Sequence, residues 1–168
     1  MVRISAALIV RNEEAFLPAC LQSLQPIVDE IVLVDTGSQD QTVALAGQFA
    51  SNIYTFEWKD DFALARNFSL DKATGDYVLV ADADHRVVNP ENGRHLLERF
   101  AGEHSPNTLG TVAILSGVRD ESQTREEVSI SPKFFRRENF VFDVDPETNA
   151  AYNRAMEDVK RTRLSKTW

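Results

Sequence analysis

Short apolar runs alternate with polar segments along the first half of the chain. Val2 to Val10, Glu30 to Asp35 and Tyr77 to Ala81 are nearly continuous runs of aliphatic residues, many of them β-branched. Such runs are typical of parallel strands that are buried on both faces of a sheet. A further strand is predicted over Asn52 to Trp58.

Apolar residues at helical spacing occupy the intervals between these strands. The first predicted helix face consists of Leu17, Cys20, Leu21 and Leu24. The residues expected to cap helices are Asn12, Ser38 in an S-x-x-Q capping box, Asp60 or Asp61, and Gly75 at a carboxyl end. Repeated strand-to-helix alternation predicts a Rossmann-like α/β sheet with helices on both faces, whose ligands bind beyond the carboxyl ends of the strands.

The second half of the chain is less regular and predicts a mixed α+β arrangement. We expect a helix over Pro90 to Ala101 and a last helix from about Thr148. The further predicted strands are Leu109 to Ser116, Val128 to Arg136 and Phe140 to Val144. A length of 168 residues favours a single domain spanning residues 1–168.

Charge and cysteine content narrow the possible partners and compartment. The formal net charge of −8 argues against a nucleic-acid-binding protein, because phosphate contacts need a basic face. The only basic stretch follows Ala150, where peripheral contact with an anionic membrane is possible and a solvated helix face is the alternative. No apolar run reaches the roughly 20 residues of a transmembrane helix. Cys20 is the single cysteine and no leader is evident, so we expect a cytoplasmic protein.

Three acidic segments follow predicted parallel strands. They are Asn12-Glu13-Glu14, Asp35 and Asp82-Ala83-Asp84. If the strands are neighbours, these carboxylates meet at one sheet edge and need a cation or hydrogen-bond donors to balance them. Hard oxygen ligands favour Mg²⁺ or Mn²⁺.

Two of these patterns have alternatives. A second D-x-D stands at Asp143-Val144-Asp145, but it precedes Pro146 in a predicted turn, whereas Asp82 and Asp84 directly follow a buried strand. The sequence Asp35-Thr36-Gly37-Ser38 also matches the active-site turn of aspartic proteases. That alternative predicts all-β surroundings and a second such turn, and the chain has no second copy.

Four ordered motifs resemble the family 2 glycosyltransferases of the GT-A fold. They are Val10-Arg11-Asn12-Glu13-Glu14, Val34-Asp35-Thr36-Gly37-Ser38 with Gln39-Asp40-Gln41-Thr42, Trp58-Lys59-Asp60-Asp61-Phe62 with Ala65-Arg66-Asn67, and Gly75-Asp76-Tyr77 leading to Asp82-Ala83-Asp84. The resemblance covers about residues 3–86. It implies a nucleotide-sugar-binding part over about residues 1–86 and an acceptor side, short for the family, over about residues 87–168.

The resemblance also implies individual roles. Residues expected to bind the nucleotide sugar, such as a UDP-sugar, are Asn12, Glu14, Asp35, Arg66 and Asp82. Asp84 would bind Mn²⁺ or Mg²⁺, and His85, where relatives often have Glu, is a further candidate ligand or else a surface histidine. The transfer would invert the anomeric centre and use an acceptor that is an unknown glycan, lipid or protein.

The catalytic base is the least defined part of this interpretation. Bases in the resembled family often belong to a Glu-Asp pair downstream of the D-x-D, and Glu157-Asp158 is the only such pair here. Asp158 is therefore the candidate base, with exposed helical ion pairs as the alternative. The family's later His-Glu pair is replaced by Asp143-Val144-Asp145. A relative that binds nucleotide, or acts as an interaction module, without transferring sugar is the alternative function.

Overall fold

The computed structural model describes residues 1–50, 52–119 and 124–143. In chain order its elements are β1 (Ile4–Val10), α1 (Leu17–Leu24), β2 (Glu30–Asp35), α2 (Thr42–Ala46), β3 (Asn52–Thr55), α3 (Phe62–Lys72), β4 (Tyr77–Ala81), α4 (Pro90–Glu103), β5 (Gly110–Arg119), β6 (Thr124–Arg136) and a 3₁₀ turn (Arg137–Asn139). The strands form one sheet in the order β3-β2-β1-β4-β6-β5. Neighbours among β1 to β4 are parallel, whereas β6 is antiparallel to both β4 and β5.

The predicted α/β fold is confirmed, and so is the burial of its central strands. β2 and β4 are buried along their whole length, and β1 along nearly all of it. Alternate side chains serve the two faces of the sheet. Leu8 and Leu33 pack with α1 on one face, while Ala7 and Val32 pack with Leu70 of α3 on the other.

Between β3 and α3 the structure shows which aspartate caps α3, and β3 is shorter than predicted. Asp61, rather than Asp60, caps α3 and accepts a hydrogen bond from Leu64 N at 3.0 Å. Asp60 has a left-handed φ of 54° and accepts from the Trp58 indole. β3 therefore ends at Thr55 instead of Trp58, because the chain turns here toward the cap.

Three predicted caps are wrong, because tertiary contacts take the side chains of Asn12 and Ser38 and the backbone of Gly75. Asn12 and Ser38 cap no helix: α1 and α2 have Phe16 and Gln41 at their N-caps, without side-chain hydrogen bonds. Gly75 does not end α3, which is capped by Ala73. A Cβ on Gly75 would lie 2.8 Å from Ser5 N, so glycine is needed there for close approach to β1.

The second half follows the prediction except at its end. α4, β5 and β6 lie at the predicted places, each extending a few residues further than expected. The strand predicted over 140–144 is wrong for residues 140–143, which have no regular secondary structure. The helix predicted from about Thr148 lies outside the described residues.

Candidate functional site

The carboxyl ends of β1, β2 and β4 lie side by side. Val10 pairs with Asp35 in the register of β1 and β2, and Leu8 pairs with Ala81 in that of β1 and β4. The loops that follow these three strands therefore meet at one edge of the sheet. This edge brings together the polar segments that the sequence predicts to form a ligand site.

Side chains of the β1–α1 loop form hydrogen bonds with the backbone of the β2–α2 loop. Asn12 Oδ1 accepts a hydrogen bond from Gln39 N at 2.7 Å, and Glu14 Oε2 accepts from Gln41 N at 2.9 Å. In return, Asn12 N donates to Ser38 Oγ at 2.9 Å. Asn12 and Glu14 thus hold the β2–α2 loop in place, and their predicted contact with a nucleotide stays a prediction.

Asp35 ends β2 inside a tight turn. Its carboxylate is buried and accepts hydrogen bonds at 3.2 Å from Gly37 N and Ser38 N. Gly37 has φ +101°, a left-handed conformation that favours glycine. Because this turn follows a parallel strand flanked by helices, the aspartic-protease alternative does not fit the fold.

Asp82, directly after β4, lies between two cations. Arg66 of α3 is 2% exposed, and its Nη2 donates to Asp82 Oδ1 at 3.1 Å while Nη1 donates to Ala7 O at 3.2 Å. Lys133 of β6 donates from Nζ to the other carboxylate oxygen, Oδ2, at 2.5 Å. The structure thus brings together Arg66 and Asp82, two of the residues expected to bind the nucleotide sugar, and that expected role stays a prediction.

The two cations decide the charge of Asp82. Burial alone would raise the pKa of its carboxyl, but the positive charges of Arg66 and Lys133 outweigh burial and hold that pKa below its usual range. Asp82 is therefore ionised at neutral pH. Sequence reasoning missed Lys133, which is 51 residues away from Asp82; the one available signal was a lysine inside an apolar strand, at Lys133-Phe134-Phe135.

Asp84 and His85 form the open side of the edge. The Asp84 side chain is 48% exposed, and His85 Nε2 lies 3.7 Å from its Oδ1. His85 Nδ1 lies 3.6 Å from Asp82 Oδ2, so the imidazole stands between the two carboxylates. Within the described ranges, no three His, Cys, Asp or Glu side chains converge as a closed metal site.

Cys20 lies in the core directly beneath this edge, as predicted. It is 1% exposed, and its Sγ donates to the main-chain oxygen of Asp82 at 3.4 Å. Burial, together with the negative charges of Asp82 and Asp84, raises the pKa of the thiol to about 12. Cys20 is therefore a protonated core residue and not a nucleophile.

A cavity of about 1050 Å³ extends from the open side of the edge between α1, α4 and the sheet. Asp84 and His85 line it together with apolar residues such as Leu24, Phe100 and Phe134. Of the second D-x-D, Asp143 is exposed and does not line the cavity, and Asp145 lies outside the described residues. Asp158, the candidate base, lies outside them as well.

Comparison with known proteins identifies the family. The family model described as glycosyl transferase family 2 matches residues 5–159. The chain belongs to this family. A TPR repeat-containing protein of Synechococcus elongatus is 43% identical over 88 residues, which are 52% of this chain and 22% of that protein. A PGL/p-HBAD biosynthesis glycosyltransferase of Mycobacterium bovis is 37% identical over 106 residues, 58% of this chain and 41% of that protein.

A solved structure supports the same fold for this family 2 chain. The crystal structure of S. aureus TarS aligns over 88% of this chain and 53% of that one, with a TM-score of 0.60 and 21% identity. The chain spans less than half the length of the two curated relatives above. No helix in the described part is both long and apolar enough to cross a membrane.

Proposed function

We propose that this family 2 chain binds a nucleotide-diphosphate sugar, such as a UDP-sugar, at the carboxyl edge of its sheet and transfers the sugar to an acceptor. The observation that carries the proposal is the arrangement of Asp82 between Arg66 and Lys133, next to the exposed Asp84. Cations held beside an open carboxylate suit a ligand that carries phosphates and binds with a metal ion. Membership of the family supports the same assignment.

Each of three residues at this edge has a proposed contact with the nucleotide. Asp35 meets the base, Asp82 meets the ribose, and Arg66 lies near the nucleotide. Asn12 and Glu14 support this contact by fixing the β2–α2 loop. Residues 1–86 thus form the donor side of a single domain over residues 1–168, and residues 87–168 form the acceptor side.

A divalent cation fits the open side of the edge. Mg²⁺ usually binds through one or two carboxylates and the phosphates of its substrate, not through a closed protein cage. Asp84 offers one exposed carboxylate, the kind of ligand that Mg²⁺ and Mn²⁺ prefer, and His85 beside it would be a second ligand. When bound, such a cation neutralises the negative charge that develops on the departing nucleotide diphosphate. Arg66 and Lys133 add positive charge at the same edge.

The acceptor side completes the proposed reaction. The bond from the anomeric carbon to the diphosphate breaks, a bond to the acceptor oxygen forms, and a carboxylate takes the hydroxyl proton. We assign the last role to Asp158 and infer an inverting, cytoplasmic transferase. The cavity beside Asp84 and His85 is the proposed entry for part of a glycan, lipid or protein acceptor.

A thermal-shift titration tests donor binding. UDP should raise the melting temperature with Mn²⁺ present and leave it unchanged in EDTA, because diphosphate and carboxylates repel each other without the cation. Asp84→Asn should remove most of the shift. The matched control is Asp71→Asn, an exposed carboxylate near the far end of α3, which should keep it. Equal stabilisation by UDP in EDTA contradicts the metal role.

A second assay separates transfer from binding alone. Release of UDP from a panel of UDP-sugars, with lysate-derived acceptor fractions, should depend on Asp158 and fall to background in Asp158→Asn, whose metal-dependent UDP binding should persist. Full turnover in Asp158→Asn contradicts its role as base. Nucleotide binding with no release from any donor favours the alternative function, a relative that binds without transfer.

A further inference from the structure

Asn67, the neighbour of Arg66 on α3, has no part in the site described so far. Its side chain makes two hydrogen bonds to the backbone of Phe142, 75 residues further along the chain. Nδ2 donates to Phe142 O at 2.7 Å, and Oδ1 accepts from Phe142 N at 2.7 Å. The amide thus forms the same pair of hydrogen bonds with Phe142 that a neighbouring β-strand would form, and these bonds hold segment 140–143 against α3.

These two hydrogen bonds place the Phe142 ring against the guanidinium of Arg66. The ring centroid lies 6.0 Å from Arg66 Cζ, and the Phe62 ring lies 5.3 Å from the same atom. Both distances fall within the range of cation–π contacts. On the inner side, the Phe142 ring packs against Phe135, at 6.3 Å between centroids.

We propose that Asn67 is a positioning residue for nucleotide binding: it holds Phe142 over Arg66, so that the guanidinium stays dry and directed at Asp82. An ion pair shielded from water interacts more strongly than the same pair in solvent. Segment 140–143 has no regular secondary structure, and Val141 beside Phe142 is 80% exposed. Specific side-chain bonds, in place of a strand ladder, therefore set where the Phe142 ring lies.

This placement also connects the two halves of the chain. Segment 140–143 follows β6, which carries Lys133, and Asn67 adjoins Arg66; both cations reach Asp82. The Asn67 bonds thus fix segment 140–143 beside Arg66, one of the two cations that pair with Asp82. Since the affinity readout below rests on the proposed function, a second readout uses the protein without ligand.

The ligand-free readout is ¹⁹F NMR of 4-fluorophenylalanine placed at position 142. The wild-type resonance should differ from that of the same label at Phe16, which is 45% exposed. Asn67→Ala should move the position-142 resonance toward the exposed value. An unmoved resonance would overturn the proposal, whether or not the protein binds nucleotide.

The second readout is UDP affinity with Mn²⁺ by calorimetry. Asn67→Ala should weaken binding about tenfold, equivalent to about 1.4 kcal/mol. Asn139→Ala is the matched control: its Nδ2 bonds to Pro106 O at 3.0 Å and to Asn107 Oδ1 at 2.7 Å, so it tethers a neighbouring turn away from Arg66. Equal affinities of the two variants contradict the proposal.

Phe142→Leu covers the case in which Asn67→Ala does not fold. It keeps the backbone groups that Asn67 binds and removes only the aromatic ring. We expect the same weakening of UDP binding, of about tenfold, with the melting temperature close to that of wild type. Wild-type affinity in Phe142→Leu overturns the covering role. If the wild-type chain binds no nucleotide, the proposed function fails and the fluorine shift alone decides the position of Phe142.

Discussion

The two edges of the sheet both hold partly or fully buried carboxylates, but they balance them differently. At the amino edge, Glu30 is 6% exposed, and neutral donors surround it. Ser5 Oγ and Thr74 N donate to Oε2, and Asn52 Nδ2 donates to Oε1. At the carboxyl edge, the partners of Asp82 are the cations Arg66 and Lys133.

This difference separates a structural carboxylate from one suited to ligand exchange. Glu30, in β2, is bonded to β1, to β3 and to the loop between α3 and β4, and it is buried. Asp82 pairs with its cations at an edge where Asp84 is half exposed, and the proposed donor phosphates would lie close to the same positive charges.

The largest effect is expected from Glu30→Ala. The substitution leaves the donors of Ser5, Asn52 and Thr74 without their acceptor, and a buried unsatisfied donor costs about 1–3 kcal/mol. We expect the free energy of unfolding to fall by about 3 kcal/mol in urea titrations. Glu57→Ala, an exposed control, should change little. Reduced UDP affinity in the folded Glu30→Ala protein would contradict the separation of the two edges.

Arg66→Ala should act on binding at the other edge. Loss of this positive charge near the nucleotide is expected to weaken UDP binding by about 2 kcal/mol, the size of a charge-assisted interaction, measured by calorimetry with Mn²⁺ present. The control is Lys72→Ala on the same helix, where Nζ lies over the rings of Tyr54 and Phe68. If both variants bind UDP equally well, Arg66 only balances Asp82 and does not meet the ligand.

The strands and the position of the site were predictable because their signals are local. An apolar run such as Tyr77 to Ala81 needs burial on both faces whatever its partners, and parallel strands bring their carboxyl ends together. The location of Asp35 and Asp82 at one edge follows from those two facts. The bounds of β2 and β4 agree with the prediction for the same reason.

The roles of Asn12, Ser38 and Lys133 were not predictable because their partners are distant in sequence. Asn12 has the chemistry of a helix cap, yet it bonds to Gln39, 27 residues away. Lys133 reaches Asp82 only because β6 inserts beside β4, antiparallel to it. A local sequence pattern does not show which distant polar group will lie within hydrogen-bonding distance of a given side chain in the fold.

The acid dependence of stability gives a smaller effect at the carboxyl edge. The folded-state pKa of Asp82 is held below its usual range, so its ion pairs stabilise the fold above the unfolded-state pKa and are lost as the pH falls through the folded value. Asp82→Asn lacks this contribution, which solvent screening limits to about 1 kcal/mol because the Asp82 side chain is 39% exposed. Urea titrations should therefore show wild type more stable at neutral pH and the two proteins converging in acid. A constant gap at every pH would contradict the ion-pair account.

The smallest effect on stability is expected for Asp84→Asn. Its side chain is 48% exposed and adjoins the negative charge of Asp82, so neutralising it removes a repulsion as well as the contact with His85. We expect the free energy of unfolding to change by less than about 0.5 kcal/mol, as for most surface substitutions. The comparison with Glu30→Ala is then sharpest: Glu30 supports the fold, whereas Asp84, the proposed ligand of the cation, contributes little to it. A destabilisation by Asp84→Asn as large as that of Glu30→Ala would show that this edge, too, is structural.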